Sequence, residues 1–244
     1  MIVQTEGIVL KTFDLRETSR IAVFFTKDHG RVSGVLKGIR KDPRKFGSSV
    51  DRFSVNDIVY YQYRNSDLHL IGQCDMRNYF FPIRQDLRKS MAAQYVLELI
   101  YLIMPPEEKN EDIYALMLDF LGELQTTEDV NRLIHAFQIK TLLYSGFRPH
   151  LDACLRCRKE VTGPARFSLK DGGLICSRCP MDDTTVHLIA PATVASILFI
   201  ERNPWSSCLR LQISGAVREE LKYVINHFLV FHLGKKVKTA QYLS

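Results

Sequence analysis

Two Cys-x-x-Cys pairs, Cys154-Leu155-Arg156-Cys157 and Cys176-Ser177-Arg178-Cys179, constrain this chain more tightly than anything else in its 244 residues. Each pair fits a tight turn that aims two sulfurs at one point, and the interval between the pairs suits a four-cysteine zinc site. Within that interval, Phe167-Ser168-Leu169-Lys170 and Leu174-Ile175 flank Asp171-Gly172-Gly173, the pattern of a hairpin that delivers the second pair. The segment therefore reads as a zinc ribbon. Cys154, Cys157, Cys176 and Cys179 would fill a tetrahedral shell and leave no open position, so the expected Zn²⁺ is structural. Iron in a similar thiolate cage and a redox-active dithiol are the other chemistries the pattern admits. Cys74 and Cys208 fall outside the pairs and read as small buried hydrophobes.

The rest of the chain is ordinary in bulk, with 46% apolar and 25% charged residues. Met1-Ile2-Val3-Gln4-Thr5-Glu6 lacks the features of a signal peptide, and no apolar run approaches membrane-spanning length. A cytoplasmic location, with reduced thiols and no membrane partner, is expected. The net charge of +6 is uneven: residues 1–81 carry 13 cations against 9 acids, 82–149 carry 7 against 10, and 150–180 carry 6 against 3. A polyanion is attracted to the first and third of these and repelled by the second.

From Gln4 to Met76 the pattern is short strands separated by turn residues. Ile21, Val23 and Phe25 share one strand face, as do Val32, Gly34 and Leu36. Five strands in so short a span predict a small closed barrel, and the oligonucleotide-binding (OB) fold is the common five-stranded solution. Between the third and fourth strands lies Lys37-Gly38-Ile39-Arg40-Lys41-Asp42-Pro43-Arg44-Lys45-Phe46-Gly47, a loop with five cations and one acid. Such a loop attracts phosphate, although charge runs are often only solvated surface. Tyr60, Tyr61 and Tyr63 are candidate stacking faces for unpaired bases, with strand packing as the alternative.

After Tyr79-Phe80-Phe81-Pro82 the apolar period changes from two to about three and a half. Helices are predicted from Leu87 to Pro105, along the Ile113–Leu124 stripe, and from Val130 to Gly146, with Thr126 or Thr127 as a cap for the third. Two more follow the cysteines, from Pro191 and from Ser214. The fold class is thus α+β: an OB barrel over 1–81, a helical domain over 82–149 and 181–244, and an inserted zinc module over 150–180. Glu107, Glu108, Glu111 and Asp112 read as helix-opening carboxylates. No H-E-x-x-H, P-loop or nucleophile elbow is present, which favours binding over catalysis.

The chain resembles the bacterial RecO recombination mediator family. The likeness rests on Thr5-Glu6-Gly7-Ile8-Val9-Leu10, Glu17-Thr18-Ser19-Arg20, Lys37-Gly38-Ile39-Arg40-Lys41, the Tyr79-Phe80 to Asp86-Leu87 junction and the late cysteine pairs. It implies a nucleoid-associated protein of DNA repair that binds single- and double-stranded DNA and anneals complementary strands. With the partner RecR, it would help the RecA recombinase replace single-strand-binding protein, whose acidic C-terminal tail it would contact through the helical domain. The residues expected to hold the phosphate backbone are Arg31, Lys37, Arg40, Lys41, Arg44 and Lys45. Arg156, Arg158, Lys159 and Arg178 form a second candidate patch around the thiolates. A nucleic-acid-processing metalloenzyme and a peptide-binding adaptor are the competing readings.

Overall fold

A computed structural model describes residues 1–180 and 186–243. Five strands, β1 (Ile2–Leu15), β2 (Ser19–Thr26), β3 (Gly30–Leu36), β4 (Val55–Tyr61) and β5 (Leu68–Asn78), close into a barrel in the order β1-β2-β3-β5-β4. All pairings are antiparallel except β3 with β5, where Ser33, Gly34 and Val35 run parallel to Leu68, His69 and Leu70. The parallel pair closes the cylinder and removes the free sheet edges. Val3, Ala22, Phe24, Val32, Leu36, Ile58 and Ile71 fill the interior, as the alternation of β3 predicts.

The chain forms two compact units, one of residues 1–130 with the C-terminal segment from 237, the other of residues 131–236. The periodicity change near residue 81 marks where strands give way to helices, whereas the packing boundary lies about fifty residues later. In the first unit, α1 (Phe81–Gln85), α2 (Leu87–Ile103) and α3 (Glu111–Leu124) accompany the barrel. Their attachment is physical. Tyr114 of α3 donates to the Glu6 carboxylate at 2.9 Å and its ring lies 6.2 Å from that of Phe25. Gly30, at φ +61, lies so close to the α2–α3 connection that a Cβ there would fall 2.2 Å from the Glu108 carbonyl oxygen. Both faces of β2 are consequently buried along Ala22–Thr26, which simple alternation does not predict.

The second unit contains nearly all of α4 (Val130–Tyr144), a three-stranded sheet, and α5 (Pro191–Arg202), α6 (Trp205–Cys208) and α7 (Gly215–Leu233). The sheet has the order β7-β6-β8, with β6 (Ala165–Ser168) and β7 (Gly173–Cys176) forming the expected hairpin. β8 (Val186–Ile189) pairs with β6 from beyond the cysteines, so the ribbon has a third strand outside 150–180. Phe167 of β6 packs edge-on against Phe228 of α7, with ring centroids 5.9 Å apart. Thr126 and Thr127 close the last turn of α3 through amides directed to the Glu123 carbonyl, and α4 begins only at Val130.

Candidate metal centre and nucleic-acid interface

The four cysteines of the ribbon converge, their sulfurs all lying within 4.8 Å of one another. Cys154–Cys179, Cys157–Cys176 and Cys176–Cys179 are separated by 3.9, 3.8 and 3.6 Å. Tetrahedral ligation with metal–sulfur bonds of about 2.3 Å puts sulfurs about 3.8 Å apart. Among the described residues this is the one group of three or more potential ligands placed to hold a metal ion, and its geometry is consistent with a zinc site.

Backbone amides favour the anionic form of two of these sulfurs, Cys154 and Cys176. The Cys176 amide donates to the Cys154 sulfur at 3.4 Å, and the Arg158 amide closes the first knuckle on the Cys154 carbonyl at 2.8 Å. Burial pushes the Cys154 thiol up, but the amides of Cys157, Cys176 and Arg156 outweigh it and bring the pKa down to about 6. The Cys176 thiol is also lowered, chiefly by the Arg178 amide. Cys179 moves the other way, to about 12, mainly through its hydrogen bond with Cys176. Arg166 locks the second knuckle by donating from Nη2 to the Cys176 and Cys179 carbonyls at 3.0 and 2.8 Å.

A divalent ion in four thiolates leaves a net charge of about −2 at the centre. Arg156, Arg158, Lys159 and Arg178 are all exposed around it, and Arg156 also lies 3.4 Å from Asp171. With such an ion bound, these cations would first offset the centre's own charge, which would reduce what the module offers to a polyanion.

The barrel's basic loop is different. Ile39 and Phe46 are buried with the barrel core, while Lys37, Arg40, Lys41, Arg44 and Lys45 are exposed. Gly38, at φ +81, turns the chain, and its carbonyl receives the amides of Lys41 and Asp42 at 3.1 and 3.0 Å. Asp42 spends its carboxylate on the Arg44 amide at 3.1 Å, capping the short turn at residues 43–45. The loop's single acid is thus committed to shaping it. Arg40 reaches the β1–β2 turn, donating to the Arg16 carbonyl at 3.0 Å and lying 3.6 Å from Asp14, which also pairs with Arg20 at 3.2 Å. Sequence reasoning did not select Arg16 or Arg20. The signal present was Glu17-Thr18-Ser19-Arg20, whose Thr18 carbonyl receives the Arg40 amide at 2.9 Å.

Two other expected residues lie away from the loop. Arg31 lies at the opposite end of β3 from Lys37, a separation of six residues or roughly 20 Å. Its guanidinium donates to the Tyr101 carbonyl and rests 4.5 Å from the Tyr101 ring centroid. Burial also lowers its pKa, so it serves as a partly buried link between barrel and α2. Tyr60 points into the barrel, 1% exposed, and stacks on His69 at 5.3 Å. Tyr61 and Tyr63 remain exposed at the β4–β5 end. The acidic stretch behaves as a helix start: Glu111 and Asp112 occupy the first turn of α3, capped by Asn110, and Glu107 lies 3.5 Å from His69.

Comparison with known proteins covers nearly the whole chain. The family model described as Recombination protein O N terminal matches residues 1–80, and that described as Recombination protein O C terminal matches residues 84–241. A protein from Moorella thermoacetica called DNA repair protein RecO is 29% identical over 99% of this chain and 90% of its own length. One of the same name from Alkaliphilus metalliredigens is 28% identical over 96% of this chain and 95% of its own.

Proposed function

Because the chain belongs to the recombination protein O family of DNA repair proteins, we propose that it acts as a binding protein that brings DNA strands together rather than as an enzyme. The observation that carries this reading is the basic loop. Its exposed cations sit on a segment pinned by buried Ile39 and Phe46, so they meet a phosphate backbone without first ordering a floppy chain. Lys37, Arg40, Lys41, Arg44 and Lys45 hold the backbone of single- or double-stranded DNA without reading its sequence, and Arg16 extends the charge beside them. Arg31 contributes through fold and not through phosphate. Screening of repulsion between two strands is the loop's contribution to annealing.

On this reading the protein helps load RecA onto DNA covered by single-strand-binding protein, with RecR as partner and the single-strand-binding protein's tail as a docking element. It works on nucleoid DNA. No helix among the described residues is long and apolar enough to cross a membrane. Cys154, Cys157, Cys176 and Cys179 would hold Zn²⁺, which would supply a structural cross-link for the ribbon and no catalytic chemistry. The chain's own contribution there is the set of amides and the Arg166 clasp that hold the sulfurs in place.

Annealing of complementary strands precoated with single-strand-binding protein, with and without this chain, tests the proposal. Acceleration that is lost when the loop cations are removed is the expected result. Strand cleavage dependent on a divalent ion, or no acceleration, contradicts it.

A further inference from the structure

A hollow beside the barrel lies outside the basic loop. Its volume is about 300 Å³, and Phe13, Leu97, Lys11, Arg52, Glu98 and Lys238 line it. Phe13 is 51% exposed on β1, so its ring is open to contact from solvent. Three of these residues are cations, and the ammonium of Lys11 sits 3.4 Å over the Tyr101 ring. The one acid in the lining, Glu98, is already engaged. It accepts the amides of Lys238 and Thr239 at 3.0 and 2.9 Å and the Thr239 hydroxyl at 2.7 Å, fixing the C-terminal segment along α2.

One phenyl ring with cations nearby matches a nucleotide, which carries a flat base and a phosphate. The volume is at the small end for ligand pockets, enough for one nucleotide and too small for a paired stack. The hollow also adjoins the basic loop along the chain. Phe13 immediately precedes Asp14, which bonds Arg20 and lies 3.6 Å from Arg40. Adjacent residues of a strand leave opposite faces, so a flexible single strand held by the loop passes round β1 to enter the hollow.

We infer that this hollow accepts one unstacked base of a bound single strand, seated on Phe13 with its phosphate toward Arg52 and Lys238. The inference rests on the proposed DNA-binding function and adds to it an interaction that distinguishes single from paired strands. In a duplex the bases are stacked inward, so the hollow stays unused and only the loop's grip on phosphate remains.

The test compares an ordinary single-stranded oligonucleotide with one of equal length whose central nucleotides are abasic, both titrated against the full-length protein. The phosphates are the same, so the loop treats the two alike. Wild type is expected to bind the ordinary strand roughly five- to a hundredfold more tightly, the range for stacking one base on an aromatic side chain. Phe13→Ala should erase that preference while leaving affinity for the abasic strand unchanged, and Phe13→Trp should restore it. Because Phe13 is half exposed, matching thermal melts are expected for all three proteins. Alanine at Arg40, Lys41, Arg44 and Lys45 should weaken both strands and keep the preference, so failure of the loop and failure of the hollow are separable. Equal wild-type affinity for the two strands overturns the inference. So does an acidic, apolar peptide whose binding Phe13→Ala abolishes while the base preference persists, since the hollow would then belong to a protein partner.

Discussion

The ammonium of Lys45 donates a hydrogen bond to the main-chain carbonyl of Lys37 at 2.8 Å, clasping the basic loop across its neck. The bond ties the two ends of the loop together on its outer side, while the loop's apolar residues Ile39 and Phe46 are buried with the barrel core. The division of labour is testable. Ile39→Ala removes a side chain 4% exposed in the barrel core and should cost about 2–4 kcal/mol in a denaturant melt. Lys41→Ala, at an exposed position, should change stability by no more than about 0.5 kcal/mol. Similar costs for the two would mean that the loop is not built on the barrel.

Tyr114 offers a measure of how strongly α3 belongs to the barrel. Burial, together with the bond its hydroxyl donates to the Glu6 carboxylate, pushes its pKa well above the usual phenol value. Tyr114→Phe keeps the ring against Phe25 and deletes only the bond to the carboxylate. A loss of about 1.5–3 kcal/mol by equilibrium unfolding is expected, the range for a hydrogen bond to a charged group. No loss would show that apolar packing alone attaches the helix.

Glu201 gives the second unit a pH signature. Its carboxyl is buried and its Oε2 lies 2.9 Å from Nε of Arg148, with Asp152 and Arg202 as the other charges acting on it. Burial raises its pKa above the ordinary 4.5 by more than Arg148 lowers it. The folded state therefore holds this proton more tightly than the unfolded state. The resulting stability is fully present below 4.5 and is lost as pH rises through the folded pKa. Across that window the unfolding free energy of wild type relative to Glu201→Gln should decline with rising pH. A difference that rises instead would mean that Arg148 outweighs burial.

Metal removal should act on the ribbon alone among the cysteine positions. Purified protein is expected to carry roughly one equivalent of zinc, and Cys154→Ser should lose it along with the ordered β6–β7 hairpin. Cys208→Ser should retain it. The Cys208 sulfur is buried and directed at the Ile200 carbonyl, 3.4 Å away and apart from the metal ligands, where a hydroxyl donates equally well. Elemental analysis with thiol titration reads both outcomes, and unchanged zinc in Cys154→Ser contradicts the assigned ligand set.

The features readable in the sequence are those fixed by local spacing. The cysteine pairs, the β6–β7 turn at Gly172 and the alternation of Val32, Gly34 and Leu36 each depend on neighbours a few residues away. What escaped depends on distant partners. Nothing around Arg31 announces that Tyr101 will take its guanidinium, and its charge alone placed it among the residues expected to hold phosphate. Tyr60 and Tyr61 are adjacent on a strand, so a one-residue change of face separates a core ring from a surface ring. β8 is four residues long, too short to carry a period of its own. The unbroken apolar run Ile21–Phe25 did hold a sign that β2 is covered on both sides, but an alternating reading gives it only one buried face.

If cations of the loop between β3 and β4 grip the nucleic-acid backbone, binding must weaken with salt in proportion to the phosphates they neutralise. For a single-stranded oligonucleotide, wild type should show log affinity falling against log salt with a slope of about −3 to −4, as for roughly four to six neutralised phosphates. Replacing Arg40, Lys41, Arg44 and Lys45 with alanine should bring that slope most of the way to zero, by about 0.7 for each phosphate no longer neutralised. A wild-type slope near zero, or one that the four substitutions leave unchanged, would mean that the loop does not hold the strand.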